Sequence, residues 1–169
     1  MVNQVGEQPV DHQVEEIPAD HYVSRHIDLP HKYADDAGLI WQRVFEFPGG
    51  VGESVVWRQY KPSVAEVHAL GCDRQDLKRS QYPEKNPPWT YIGAMTAQVQ
   101  QLRAIETRRG HGFVVEHKPL DDDGSDQGIY HAEITYKVHP DNPLNKNDKT
   151  ELKELIQRVF GPLDTHVCA

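Results

Sequence analysis

Cysteine is scarce: only Cys72 and Cys168 occur in 169 residues. One such pair gives neither a disulfide framework nor a Cys-x-x-Cys metal knuckle. Two free thiols in a reducing compartment are therefore expected. Cys168 is the penultimate residue and does not form a prenylation box, which needs its cysteine farther from the end. Long apolar runs are missing too, and none approaches the ~20 residues of a membrane-spanning helix. The opening residues are acidic and polar, without the basic and then apolar stretches of a secretory leader. These absences point to a cytoplasmic protein with no membrane association. Gly49-Gly50-Val51-Gly52 lacks the Lys-Ser/Thr of a phosphate loop and joins two strand-like runs, so it reads as a hairpin turn. No Gly-x-Ser-x-Gly nucleophile elbow occurs.

Positive charge is also in short supply, and the net charge is −8. Residues 1–38 hold eight Asp/Glu against Arg25 and Lys32, a balance of −6. Residues 39–169 hold the other eighteen acids against sixteen bases, a balance of −2. Nucleic acid is not the expected partner, because phosphate contacts need Lys and Arg. One local exception stands out. Arg74, Lys78, Arg79, Lys85, Arg103, Arg108 and Arg109 face only Asp73, Asp76, Glu84 and Glu106 in the middle segment. That excess of three suits an acidic partner or the chain's own acidic arm, and Trp57, Trp89, Tyr82 and Tyr91 would be the stacking surface were the partner a nucleic acid.

The best-defined element is a hairpin over residues 111–138. Phe113-Val114-Val115-Glu116-His117-Lys118 and Ile129-Tyr130-His131-Ala132-Glu133-Ile134-Thr135-Tyr136-Lys137 are rich in strand formers and flank an Asp/Gly-rich loop. Alternation puts Phe113, Val115, Tyr130, Ala132, Ile134, Tyr136 and Val138 on a core face. Glu116, Lys118, His131, Glu133 and Lys137 fall on the other. A second hairpin is expected over about 38–60, with Leu39, Trp41, Phe45 and Phe47 leading into Val55, Val56, Trp57 and Tyr60.

Helices are expected over about 62–70, 91–109 and 149–160. Ser63 with Glu66 forms a capping box for the first, and Gly71 supplies its stop, with a short helical piece following over 73–79. In the second, Ile92, Met95, Val99, Leu102 and Ile105 line one stripe. Asp148 with Glu151 would cap the third, whose stripe is Leu152, Leu155, Ile156, Val159 and Phe160. The expected fold class is α+β: a mostly antiparallel sheet built from two hairpins, with helices packed on one face. Residues 1–36 read as a flexible acidic arm and 37–169 as a single domain.

Ten histidines are many for this length and raise the prospect of metal or acid–base chemistry. The candidate catalytic group is Glu116, His131 and Glu133 on the polar hairpin face, with His111 or His117 as possible additions. Two carboxylates and an imidazole there would suit Zn²⁺ or Mn²⁺, or cross-strand charge pairs with Lys118 and Lys137. The hairpin register decides between them, and the loop leaves it open. His131-Ala132-Glu133 resembles the His-x-Glu of zinc nucleobase deaminases over three residues, but no Pro-Cys-x-x-Cys follows, so that zinc site is not expected. Asp121-Asp122-Asp123-Gly124 misplaces the glycine for a calcium loop and reads as a solvated turn. Two functions follow: a non-catalytic protein-interaction module without cofactor, in a homo-oligomer or a complex, or a metal- or carboxylate-dependent, hydrolase-like enzyme centred on Glu116, His131 and Glu133.

Overall fold

The computed structural model describes residues 13–29, 45, 53–58, 63–120 and 128–169. Its elements run β1 (Tyr22–Leu29), β2 (Glu53–Trp57), α1 (Val64–Gln81), β3 (Thr90–Gln98), α2 (Val99–Arg103), β4 (Gly112–His117), β5 (His131–Lys137), α3 (Lys146–Val159) and β6 (Asp164–Thr165). The fold is α+β: six strands form one antiparallel sheet in the order β4-β5-β2-β1-β3-β6. No described helix is long and apolar enough to cross a membrane.

The helices divide between the two sheet faces rather than gathering on one. Adjacent residues of a strand point to opposite faces, and β2 shows the division. Val55 packs into the larger core with Met95, Ala97, Leu102, Leu152 and Ile156, which places α2 and α3 on that side. Val56 packs with Ala94, Val67 and Leu70, which places α1 on the other.

The expected hairpin over 111–138 is present, and Phe113, Val115, Ala132 and Ile134 are all core residues. The expected first strand of the other hairpin, residues 38–47, lies outside the described residues apart from the buried Phe45, whose ring packs 4.8 Å from that of Phe160. The two described neighbours of β2 are β1 and β5.

Part of the expected arm is structural core. Residues 1–12 and 30–36 lie outside the described residues, but Tyr22–Leu29 is an interior strand. Ile17, Val23 and Ile27 are essentially inaccessible to solvent. Each contributes about 1.5–3 kcal/mol of burial, far more than a loosely lying segment retains. Val23 and Ile27 alternate with Ser24, His26 and Asp28, which α1 and β3 cover with polar contacts.

Residues 91–109 are not one helix. Thr90–Gln98 is a strand and only Val99–Arg103 is helical. β3 pairs along all of β1, and that long-range ladder overrides the helical stripe. The register shifts between Ile27 and Asp28: Ile27 faces Gly93 and Asp28 faces Tyr91, so Ile92 is an extra residue in β3. The carbonyl of Ile92 accepts a hydrogen bond from the His166 N–H at 3.0 Å. Gly93 has φ +145°, and an added Cβ would lie 2.1 Å from the Asp164 carbonyl oxygen. Only glycine lets β6 approach β3 this closely.

α1 runs through its expected stop. Its Ser63–Glu66 capping box is formed, but Gly71 lies mid-helix, where the Tyr91 ring rests against it. The third helix begins a turn early: Asn145 is its cap and Asp148 the reciprocal partner. The expected pair of free thiols is also overturned. Cys72 on α1 and Cys168 are joined in a disulfide, with Cα atoms 5.6 Å apart across 96 positions of sequence. β6 pairing on β3 brings Cys168 back to α1, a return that sequence spacing does not reveal.

The outer edge of β4 is met by the chain itself. Glu106 bridges Gly112, the Thr107 N–H donates to the His111 carbonyl at 2.8 Å, and Arg103 donates to the Val115 carbonyl at 3.0 Å. At the other edge β6 offers just two residues.

Gly71→Ala tests the α1 contact. Helix propensity alone favours alanine by about 1 kcal/mol. The new Cβ, however, would sit 2.4–2.7 Å from three Tyr91 ring atoms. Overpacking of that kind costs about 1–3 kcal/mol, and the ring is held by bonds at both ends. A net loss of about 1 kcal/mol or more is expected in denaturant unfolding; a stabilised variant would show that the ring yields freely.

Candidate functional site

The hairpin register puts Glu116 directly opposite Glu133. Like charges in that position repel, and Lys118 answers both: its Nζ lies 3.0 Å from Glu133 and 3.9 Å from Glu116. The hydrogen bond from Lys118 to Glu133, then the charges of Glu133 and Glu116, raise the lysine above its ordinary range. His131 shares this face but is buried, and its Nδ1 lies 2.6 Å from the Lys118 carbonyl oxygen. That contact places the ring proton on Nδ1. The three residues are thus brought together, as a lysine-bridged carboxylate pair with a histidine locked beside it. Among the described residues, no three His, Cys, Asp or Glu side chains are grouped to hold one metal ion.

The additional histidines sit elsewhere and serve the backbone. His117 Nδ1 accepts the Glu15 N–H at 3.1 Å, and its Nε2 meets the Ile129 carbonyl at 2.7 Å. Its ring lies edge-on to Trp57, whose indole N–H donates to His21 Nδ1 at 2.9 Å. These bonds fix residues 15–21 against the sheet. His111 is wholly buried; its Nδ1 accepts the His139 N–H at 3.0 Å, and its Nε2 is 3.4 Å from Asp148, which Arg109 also meets at 3.3 Å. His139 Nδ1 in turn accepts the Asp141 N–H at 3.1 Å.

Two groupings escape sequence reasoning. The first lies between α1, the sheet and the 164–169 segment. His68 Nε2 is 3.0 Å from an Asp164 carboxylate oxygen, and His68 Nδ1 is 2.9 Å from the Tyr91 hydroxyl. A carboxylate only accepts, so Nε2 carries the proton and Nδ1 receives the Tyr91 O–H. Burial first, then the charges of Asp28 and Asp164, hold the Tyr91 phenol well above its usual range, so it remains a donor. The Gln75 side chain accepts the Tyr91 N–H at 3.0 Å. The His166 ring stacks on His68 at 4.4 Å, with planes 9° apart. Behind them His26 Nε2 meets the Val67 carbonyl at 2.8 Å, its Nδ1 has no hydrogen-bond partner among the described residues, and Arg74 pairs with buried Asp28 at 3.4 Å. Burial first, then the charges of Arg74, Arg25 and His68, lower the His26 pKa to about 4, against the raising effect of the Val67 bond.

The second grouping lies where the last turn of α1 meets the loop before β3, with Trp89 half-buried. Tyr82 is 54% accessible. Lys78 Nζ lies 5.7 Å from the Tyr82 ring centroid and 5.8 Å from that of Trp89, and Lys85 Nζ lies 5.0 Å from Trp89. Arg79 ties the loop down by bonding the Trp89 carbonyl and, at 3.2 Å, the Thr90 hydroxyl. That hydroxyl donates to the Pro88 carbonyl at 3.1 Å, and the Lys85 N–H donates to the Tyr82 carbonyl at 3.1 Å. The local excess of Lys and Arg was visible in sequence, but its convergence on the two rings depends on α1 continuing to Gln81.

Set against family models, curated proteins and solved structures, the chain matches none of them.

Two measurements check these assignments. Lys118→Met leaves Glu116 and Glu133 facing each other, and a loss of about 0.5–1 kcal/mol is expected, recovered by adding Glu116→Gln. An unchanged unfolding midpoint would mean that Lys118 does not bridge the pair. His26 gives a pH dependence. Its folded pKa of about 4 lies below the ordinary imidazole value of 6.5, so its contribution is complete above about 6.5 and is lost as pH falls toward 4. The difference amounts to about 3 kcal/mol. His26→Gln keeps a donor for Val67 without titrating, so its stability should fall less steeply across that interval; parallel slopes would count against a neutral buried His26.

Proposed function

We propose that the protein is a non-catalytic interaction module that takes an acidic peptide segment on the Lys78–Tyr82–Lys85–Trp89 corner. The carrying observation is the exposed Tyr82 ring beside the half-buried Trp89 ring, the two flanked by two ammonium groups. Tyrosine and tryptophan supply rigid contact area and dominate interface energetics. Lysines beside them meet the carboxylates of such a segment. From Lys78 to Trp89 the chain carries three bases, Lys78, Arg79 and Lys85, against one acid, Glu84, a local balance of +2 within a chain of −8. Solvent ions screen the distant acids beyond roughly 8–10 Å, so the local sign governs docking. The bonds of Arg79 and Thr90 hold the loop in one shape before any partner arrives, which lowers the ordering cost of binding.

The acidic N-terminal segment of a second copy has the required chemistry, so a homodimer is one form of this reading. The Cys72–Cys168 disulfide favours an oxidising compartment for the module, in place of the cytoplasm suggested by composition.

The test uses a fluorescent Asp/Glu-rich peptide carrying one tyrosine, titrated with the full chain and followed by anisotropy, with sedimentation equilibrium alongside. Binding that weakens with salt, and about tenfold weaker binding (about 1.4 kcal/mol) by the Lys78→Glu, Lys85→Glu variant, is expected. Equal binding by the two proteins, or preference for a Lys-rich peptide, would overturn the reading.

A further inference from the structure

The segment that covers His68 and Tyr91 is held on by little besides one covalent bond. β6 pairs only at Gly93 and Ala94, and both of its residues are exposed. Val167 is 88% accessible, and the Asp164 side chain is 64% accessible although it binds His68. Among the described residues, the stretch from Gly161 onward is attached outside the β6 ladder by Leu163 packing on the core and by hydrogen bonds from Gly161 N–H to the Thr96 carbonyl at 2.9 Å, from His166 N–H to the Ile92 carbonyl at 3.0 Å, and between His68 and Asp164 at 3.0 Å. The His166 ring stacks on His68 and lies 6.2 Å from the Tyr91 ring, and the Cys72–Cys168 disulfide ties the end of the segment to α1. A segment with so few buried apolar contacts belongs to the low-stability end of a fold. Beneath it lies a different environment. His68 and Tyr91 are almost fully buried, and His26, at 2% exposure, has no hydrogen-bond partner for its Nδ1 among the described residues.

We propose that residues 164–169 form a thiol-controlled cover over the His68–Tyr91 pair. A dithiol opens it. The Cys72–Cys168 S–S bond breaks, each sulfur gains one electron and one proton to become a thiol, and the dithiol gives up both hydrogens as it closes to its own disulfide. The cover then rests on its non-covalent contacts alone. When it lifts, His68 loses Asp164 and His166 together, and its Nε2 faces solvent while Nδ1 stays bonded to Tyr91. The uncovered group is an imidazole–phenol pair, a proton donor and acceptor side by side. Reoxidation by a disulfide of the same class restores the cover, so its state follows the thiol–disulfide balance around the protein. The device does not depend on the basic aromatic corner, which lies outside it.

The experiment measures carbethoxylation of each histidine by diethyl pyrocarbonate, read by peptide mass spectrometry, in the full chain before and after dithiothreitol, with circular dichroism to follow the fold. His68 is expected to react about tenfold or more faster after reduction, while His26 and His111 stay slow and the spectrum is unchanged. Cys168→Ser should show the fast rate without reductant, and a chain ending at Leu163 should show it whatever the thiol conditions. Two outcomes overturn the proposal. If His68 stays slow in reduced, folded protein, the segment is held without the disulfide. If all buried histidines speed up together, the bond staples the whole fold and controls no cover.

Discussion

The side of the sheet that carries α1 depends on one contact, the Tyr91 ring lying against the helix backbone at Gly71. A side chain at that position would occupy the space of the ring. With the ring seated, Gln75 reaches the Tyr91 N–H and His68 reaches its hydroxyl, so both ends of the residue are tied to the same helix. His26 then lies edge-on to the ring at 5.4 Å and bonds the Val67 carbonyl. This layer is largely polar. Its bonds to Tyr91 and His68 hold it together, and His26 Nδ1, with no hydrogen-bond partner among the described residues, is an exception of the kind that costs about 1–3 kcal/mol. The opposite layer is more apolar, since Val99, Leu102, Leu152 and Ile156 meet the sheet with aliphatic surface.

Histidine is the connector the chain uses most. Imidazole offers one donor and one acceptor on a flat, compact ring, which suits gaps where a backbone group would otherwise be stranded. His117 holds Glu15 and Ile129, His111 holds His139, and His131 holds Lys118. These bonds join segments far apart in sequence, such as Glu15 to β4. The histidine excess therefore marks places where irregular backbone crosses the sheet.

The hairpin was legible because dense strand formers bracket a loop of turn residues, and its buried face follows from simple alternation. Its register was not legible, since the loop allows several pairings; the one adopted sets Glu116 against Glu133 and makes Lys118 their bridge. β1 was hidden because His26 and Asp28 look like surface residues until α1 is in place to meet them. Thr90–Gln98 carries Met95 and Ile92 at spacings that also suit a helix, and pairing with β1 decided the matter. The α1 boundary was missed because a glycine that ends helices elsewhere here makes room for a ring. The basic corner was half legible: composition showed the excess of Lys and Arg, whereas the packing of Lys78 and Lys85 around Trp89 requires the loop conformation.

Both borders of the sheet are short of free backbone among the described residues. β4 is met along its outer side by Glu106, Thr107 and Arg103, and β6 presents two residues beside a bulged strand. An incoming strand has no long run of open amides to copy. Among the described residues, growth by sheet continuation, the route to domain-swapped ribbons and cross-β fibrils, finds little open edge on the β4 and β6 strands. The described surface that remains open to a neighbouring copy is therefore mainly that of helices and loops, away from the backbone of the sheet.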